Sequence, residues 1–293
     1  MTQTLEPPRL TRLRDGINHI AYSRDGERCA YSDVHMNLVL PGGITLNLTS
    51  SNDKVKPTER IRAVVFSPDG KSIAATAGDH VWQFDVETGK ELWRYMPPRA
   101  WGFLIISPLA LASSTTGILA ASTDNGQLIA WNPDHTVANK WKTNDVQWHM
   151  AFAGDSDELI GCESFALNRF DIQTGKIRAR FELPDKTYGM ALSPDGNLAA
   201  VRTLSQVHLL DAHSGKPVAT HRTEAGLPLL AFHPTQQLLA IGENYFVSLM
   251  DFQGKVIDQI PIQEAEAVSL AFHPKNQTLA IGLSNHEILH HKV

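Results

Sequence analysis

Residues 61–95 read IRAVVFSPDGKSIAATAGDHVWQFDVETGKELWRY, and within this stretch four short apolar runs alternate with three turns. IRAVVF (61–66), SIAATA (72–77), VWQFD (81–85) and ELWRY (91–95) have the length of strands and are too short to favour helices. The intervening SPDGK, GDH and VETGK are turn chemistry: proline presets φ, and glycine takes the positive φ that tight turns require. One such stretch predicts a four-stranded antiparallel sheet. The architecture depends on how often it recurs.

The turn phrase at the end of the first strand recurs through the chain as Tyr22-Ser-Arg-Asp-Gly, Phe66-Ser-Pro-Asp-Gly, Ile106-Ser-Pro-Leu, Phe152-Ala-Gly-Asp, Leu192-Ser-Pro-Asp-Gly, Phe232-His-Pro-Thr and Phe272-His-Pro-Lys. The first residues of these seven copies are separated by 44, 40, 46, 40, 40 and 40 residues, a period that means a propeller or a solenoid. The two long steps are ascribed to TSSNDKVKPTER (49–60), ending repeat one, and ALASSTTG (110–117), lengthening the first turn of repeat three. The second strand returns as SIAAT, ILAAS, NLAAV, LLAIG and TLAIG, whose small side chains suit a crowded sheet-on-sheet interior. The expectation is an all-β fold: a seven-bladed β-propeller of four-stranded antiparallel blades.

The last repeat offers AVSLAF (267–272), TLAIG (278–282) and EILHHKV (287–293) but no fourth strand, while RLTRL (9–13) precedes the first. The N-terminal segment is therefore expected to complete the last blade and close the ring, which removes an exposed sheet edge. Seven blades fill residues 1–293 as a single domain.

With 293 residues, 42% hydrophobic and 19% charged, the chain reads as a soluble globular protein with a large core. Its net charge of -5 supplies no positive field to collect phosphate backbones, so nucleic acid is not the expected partner. The start, MTQTLEPPRLTRLRDG, lacks the apolar run of a signal peptide, and no later segment resembles a membrane span. Cys29 and Cys162, taken as equivalent positions of different repeats, read as buried free thiols rather than a disulfide. A cytoplasmic protein, with no membrane partner, is the expectation.

The pattern resembles the WD-repeat family of seven-bladed propellers over essentially the whole chain. The motifs that carry it are Phe-Ser-Pro-Asp-Gly at 66–70, Leu-Ser-Pro-Asp-Gly at 192–196, Leu-Ala-Ala-Ser-Thr-Asp-Asn-Gly-Gln-Leu-Ile-Ala-Trp-Asn at 119–132 and Leu-Leu-Asp at 209–211. Gly-His before the first strand is absent, and Trp-Asp survives only as Trp131-Asn132, so the polar network of those residues is expected to be missing. The phrase D-x-x-T-G-K-E-L-W at 85–93 also resembles the quinoprotein repeat, in which tryptophans dock blade to blade. It is complete once: FDIQTGKIRARF, LDAHSGKPVATH and DFQGKVIDQ lack the Leu-Trp. Trp93 is accordingly read as a packed strand residue, and no cofactor is expected.

A metal-dependent hydrolase or lactonase, the enzymatic alternative, needs ligands converging at the channel mouth. Four residues before each anchor stand Asn18, Arg62, Gly102, Trp148, Tyr188, Pro228 and Val268, without a carboxylate; Glu266, six before its anchor, has no acidic companion. Of the histidines, His233 and His273 replace the turn serine and read as structural, His290 and His291 point to opposite faces of one strand, and His149 has no nucleophile motif beside it. No metal and no catalytic residue is assigned.

In WD-repeat proteins the face at the start of the innermost strands commonly receives partners, and the resemblance implies the same positions here: Asn18, Arg60, Arg62, Trp148, Lys186, Tyr188 and Glu266, with Gly16, Ala100, Gly102, Val146, Gly226, Pro228 and Val268 completing the rings. Trp101, between repeats two and three, joins them. Arg, Trp and Tyr are the residues that interface hot spots favour. The expected function is a non-catalytic scaffold for a protein or peptide carrying acidic and apolar groups; a small molecule in the central channel is the other option.

Overall fold

Strands made of small residues set the packing. In a computed structural model, which describes residues 9–12, 16–49, 60–98, 106–223, 226–262 and 264–293, the second strands SIAATA (Ser72–Ala77), LAAST (Leu119–Thr123), ELIGCE (Glu158–Glu163) and LLAIG (Leu238–Gly242) are buried along their whole length. Both faces of these strands meet a neighbouring sheet, so alternation is lost and small residues let the sheets approach. The outermost strands Val137–Lys142, Ile177–Glu182 and Pro217–Arg222 instead alternate, one face packed and one solvated.

The strands form seven four-stranded antiparallel sheets, six built from consecutive strands. Their inner strands, Ile17–Tyr22, Ile61–Phe66, Pro108–Ser113, His149–Phe152, Gly189–Leu192, Leu230–Phe232 and Ala267–Phe272, adjoin in cyclic order around a central channel. The seventh blade is closed as expected. Arg9–Arg12 is its outermost strand, pairing from Arg9↔His290 to Arg12↔Glu287. Seven buried apolar clusters occupy the seven seams between blades.

The recurring phrases are the turns of one face. Ser67 Oγ accepts the Ser72 N–H at 2.9 Å and donates to Asp69 Oδ1 at 2.7 Å, while Gly70 turns with φ 68°. Where histidine replaces serine, its Nδ1 becomes the turn's acceptor for earlier N–H groups: His233 Nδ1 accepts from the Thr235 and Gln236 N–H groups, and His273 Nδ1 from those of Lys275 and Asn276. The Asp-x-x-Thr-Gly phrase is the other turn of that face, with Asp85 Oδ1 accepting from Thr88 N–H and Thr88 Oγ1. Trp93 packs at the seam of blades two and three, stacked on His135 with centroids 5.0 Å apart and edge-on to Trp131 at 5.2 Å. Trp131 is wholly buried and its indole N–H has no partner among the described residues, so the polar network that Trp-Asp would anchor is not formed there.

Two readings need correction. The anchor of repeat three is Ser113, not Ile106: the first turn runs Ser114 to Gly117, with the Ile118 N–H bonded to Ser114 Oγ and the Gly117 N–H to Ser114 O. Ile106-Ser-Pro-Leu imitates the turn phrase, but Pro108 already opens the inner strand. The steps around the true anchor, from 66 to 113 and from 113 to 152, are 47 and 39 residues, so the extra length precedes the strand and Gly102 and Ala100 were counted from a false anchor. The cysteines are not equivalent either. Cys29 begins blade one's second strand and pairs with Tyr22, whereas Cys162 lies near the far end of blade four's and pairs with His149. Both are free thiols, and burial pushes each up to about 11.

Candidate functional site

Antiparallel order decides what each face of the ring contains. The inner strand starts at one face, so the turn between second and third strands, and the connection from each outermost strand to the next blade, return to that same entrance face. The other two turns belong to the opposite face. The exposed large apolar side chains divide unevenly between them. Val34, Met96, Trp148, Phe165, Tyr188, Leu204, Leu227 and Tyr245 stand on the entrance face, and Leu92, Val137, Ile177, Val218 and Ile257 on outermost strands. Among the described residues the opposite face carries none.

Six of those eight gather on three adjacent blades. Blade four presents Trp148 at its inner strand and Phe165 at its turn; blade five presents Tyr188 and Leu204; blade six presents Leu227 and Tyr245. Of the corresponding turns elsewhere, Gly78-Asp79 in blade two, Asp124-Asn125 in blade three and Asn285-His286 in blade seven are polar, and that of blade one carries Val34. Exposure is large where it matters: Leu204 is 75% and Tyr245 70% exposed, so these side chains belong to no seam.

Hydrogen bonds fix the sector from beneath. Each turn is tied to the connection that follows it: Leu183 N–H to Phe165 O, Thr187 N–H to Ser164 O, Thr223 N–H to Ser205 O and Ile262 N–H to Tyr245 O. Trp148 and Tyr188 donate their N–H groups to Cys162 O and Arg202 O, and His149 Nε2 lies 2.9 Å from Tyr188 O. Under Trp148, Gln147 Nε2 donates to the buried Glu163 Oε2 at 3.0 Å, Arg180 pairs with Glu163 Oε1, and Thr187 Oγ1 donates to Glu163 O at 2.6 Å. A buried glutamate held at both carboxylate oxygens and at its backbone carbonyl rigidifies the backbone that carries the aromatics. Close approach also restricts the sequence: a Cβ on Gly189 would lie 2.3 Å from Pro228 O of the next blade.

The residues expected from sequence fall into separate groups on this face. Lys186 and Tyr188 come together, with Lys186 Nζ 5.7 Å from the Tyr188 ring centroid, a cation–π contact, and Trp148 stands on the adjacent blade; Trp148 and Tyr188 are 46% and 42% exposed. Arg60 and Arg62 are exposed at the start of blade two, with no acidic partner among the described residues. Asn18 is a latch within blade one, its Nδ2 donating to Asp33 O at 3.0 Å. Glu266 is exposed, its N–H bonded to Ser284 Oγ. Trp101 lies outside the described residues. Phe165, Leu204 and Tyr245 were missed because counting back from the anchors samples only inner strands, and Leu227 because the count took the fourth and sixth positions before the anchor and passed over the fifth. The available signal was a bulky apolar residue at hairpin tips, in SerPhe (164–165), ThrLeuSer (203–205) and AsnTyr (244–245), where turn residues are the rule.

Among the described residues no three His, Cys, Asp or Glu side chains converge as a metal site, and no helix is long and apolar enough to cross a membrane. Burial lowers the His149 imidazole below its usual range. No family model matches the chain, and no curated protein does. Among solved structures, a chain in the crystal structure of a mitotic checkpoint complex is similar, with TM-score 0.80 and 16% identity, over 100% of this chain and 94% of that one. At that identity the likeness is one of fold: a seven-bladed β-propeller.

Proposed function

We propose that this chain is a WD-repeat-like interaction scaffold of the cytoplasm, without chemistry of its own, that binds a protein partner across the entrance faces of blades four to six. The observation that carries the reading is the concentration of six exposed large apolar side chains on one face of three adjacent blades, Trp148, Tyr188 and Leu227 at the inner-strand starts and Phe165, Leu204 and Tyr245 at the turns, since exposed apolar surface marks interaction sites. Aromatic side chains dominate it, Lys186 lies at its centre, and a rigid backbone beneath spares the ordering entropy that binding otherwise costs. A likeness to a chain in a protein complex supports the reading, and the two free thiols suit a reducing compartment.

The test is capture of partners from native cell extract by three forms of the folded chain: the parent, Phe165→Ser/Leu204→Ser/Tyr245→Ser, and the opposite-face control Lys216→Glu/Lys255→Glu. A partner held by parent and control and lost from the apolar-surface variant is the expected result. A partner that all three retain, or that only the control loses, refutes the reading.

A further inference from the structure

In six of the seven seams, the residue that ends one blade's inner strand fills the space against the preceding blade. Tyr22, Phe66, Phe152, Leu192, Phe232 and Phe272 each pack into the apolar cluster shared with that neighbour. The seam of blades two and three is the exception. Blade three's inner strand ends on Ser113, and the cluster of that seam holds no counterpart of the missing side chain. The turn that follows is shorter as well. In the other six blades the residue after the anchor donates its N–H to the carbonyl five residues on, as Ser67 does to Ser72, whereas Ser114 donates to Ile118, four residues on.

A small anchor and a short turn leave a cleft of about 390 Å³ on the face opposite the entrance, within the roughly 300–1,000 Å³ of ligand sites. Phe66, Ala74, Leu119 and Trp131 give it apolar walls, and Thr115, Thr116 and Asn132 contribute polar groups. Hydrogen bonds brace it across the seam: Gln83 Nε2 donates to Ser72 Oγ at 2.7 Å, and His135 Nε2 of the next blade lies 2.7 Å from Gln83 Oε1. The His135 ring is itself fixed by stacking on Trp93. Walls held in this way are preformed, which lowers the ordering cost of binding. Asp69 is the only acid in the lining, which holds no Lys or Arg. Its Oδ1 accepts from Ser67 Oγ at 2.7 Å and from Lys71 N–H at 3.0 Å, bonds that hold the carboxyl below its usual range. It makes no ion pair among the described residues.

We propose that the cleft between blades two and three binds a small organic cation with an apolar ring, an arylalkylamine, whose ring takes the place that an anchor side chain fills in the other six seams and whose ammonium group pairs with Asp69. Each part of the ligand answers an observation. The ring supplies the apolar contact that Ser113 withholds from Leu119 and Trp131. The ammonium gives an unpaired carboxylate its counter-charge, whereas an anion would meet Asp69 with no basic group in the lining to offset it. The cleft and the apolar sector of blades four to six lie on different faces of the ring, and either proposal survives the failure of the other.

The test is titration of the full chain with tryptamine, tryptophol and indole-3-acetate, a cation, a neutral molecule and an anion built on one ring, followed by calorimetry and by the tryptophan indole signals in NMR. Tryptamine is expected to bind with Kd below about 1 mM and to move the Trp131 signal, with tryptophol about fivefold weaker and indole-3-acetate weaker still. Ser113→Phe restores the kind of side chain that fills the other seams, and is expected to abolish tryptamine binding with the fold intact. Asp69→Asn, an exposed change that keeps the turn's acceptor, is expected to remove the advantage of tryptamine over tryptophol, and it tests the site whether or not Ser113→Phe folds. No binding of tryptamine at about 5 mM, equal affinity for the three probes, undiminished binding by a folded Ser113→Phe, or an unchanged preference in Asp69→Asn overturns the proposal.

Discussion

The two faces of the ring are built from turns of the same kind of sheet, yet they obey different rules. On the face opposite the entrance, Ser67, Ser193, His233 and His273 all use a side-chain acceptor to hold N–H groups of the same turn, and Asp85, Asp171, Asp211 and Asp251 do likewise in the other turn. Those turns repeat because the chain needs them to fold. On the entrance face the turns are polar in blades two, three and seven and carry Phe165, Leu204 and Tyr245 in blades four to six. No folding rule asks for a 75% exposed leucine at a hairpin tip. The difference teaches that repetition reports structure, and that its failure on a rigid frame is where function is to be sought.

Four substitutions break or sharpen that contrast. The largest effect falls on binding: Phe165→Ser/Leu204→Ser/Tyr245→Ser is expected to weaken the partner complex by roughly a thousandfold, about 4 kcal/mol, since interface side chains that matter cost more than about 1 kcal/mol each when truncated. Melting should barely move, because the side chains are exposed; calorimetry alongside binding separates the two. Next, Gly189→Val drives a Cβ into Pro228 O, 2.3 Å away, at the seam of blades five and six. Denaturant unfolding should register a loss of about 3 kcal/mol.

The third effect is pH-dependent. Burial and the nearby Arg60 and His149 lower His19 from its ordinary value near 6.5 to about 4. A folded pKa below the unfolded one means that the unfolded chain binds more protons, so stability falls as pH drops through 6.5 toward 4 and levels off below. Because His19 is half-buried as a residue, the loss is expected to be about 2 kcal/mol rather than the full shift. His19→Gln should flatten that part of the curve, measured by denaturant titrations at several pH values, and a parent and variant that fall in parallel would contradict it. Smallest of all, Ser193→Ala removes one turn acceptor on the opposite face and should cost about 1 kcal/mol of stability with partner affinity unchanged.

Most of the fold was legible because the signal was repeated. IRAVVF, SIAATA, ELWRY and AVSLAF became strands with the bounds read from the sequence, and the N-terminal strand closed blade seven. Repeat three misled because Ile106-Ser-Pro-Leu copies a turn phrase at the wrong place, and only the hydrogen bonds of Ser114 identify the real turn. Of the candidate sector, Trp148, Lys186 and Tyr188 were legible because they stand just before inner strands, at fixed distance from an anchor. Phe165, Leu204 and Tyr245 were not, because their importance comes from adjacency across three blades, a property of the ring that no single repeat contains.

The central claim is that one sector of one face receives a protein partner, and hydrogen exchange of the chain with and without its captured partner addresses it most directly. The account predicts slowed exchange in the entrance turns and connections of blades four to six, around Phe165, Tyr188, Leu204 and Tyr245, with the Ser-Pro-Asp-Gly turns unchanged. Protection confined to the opposite face or to the outermost strands would contradict it.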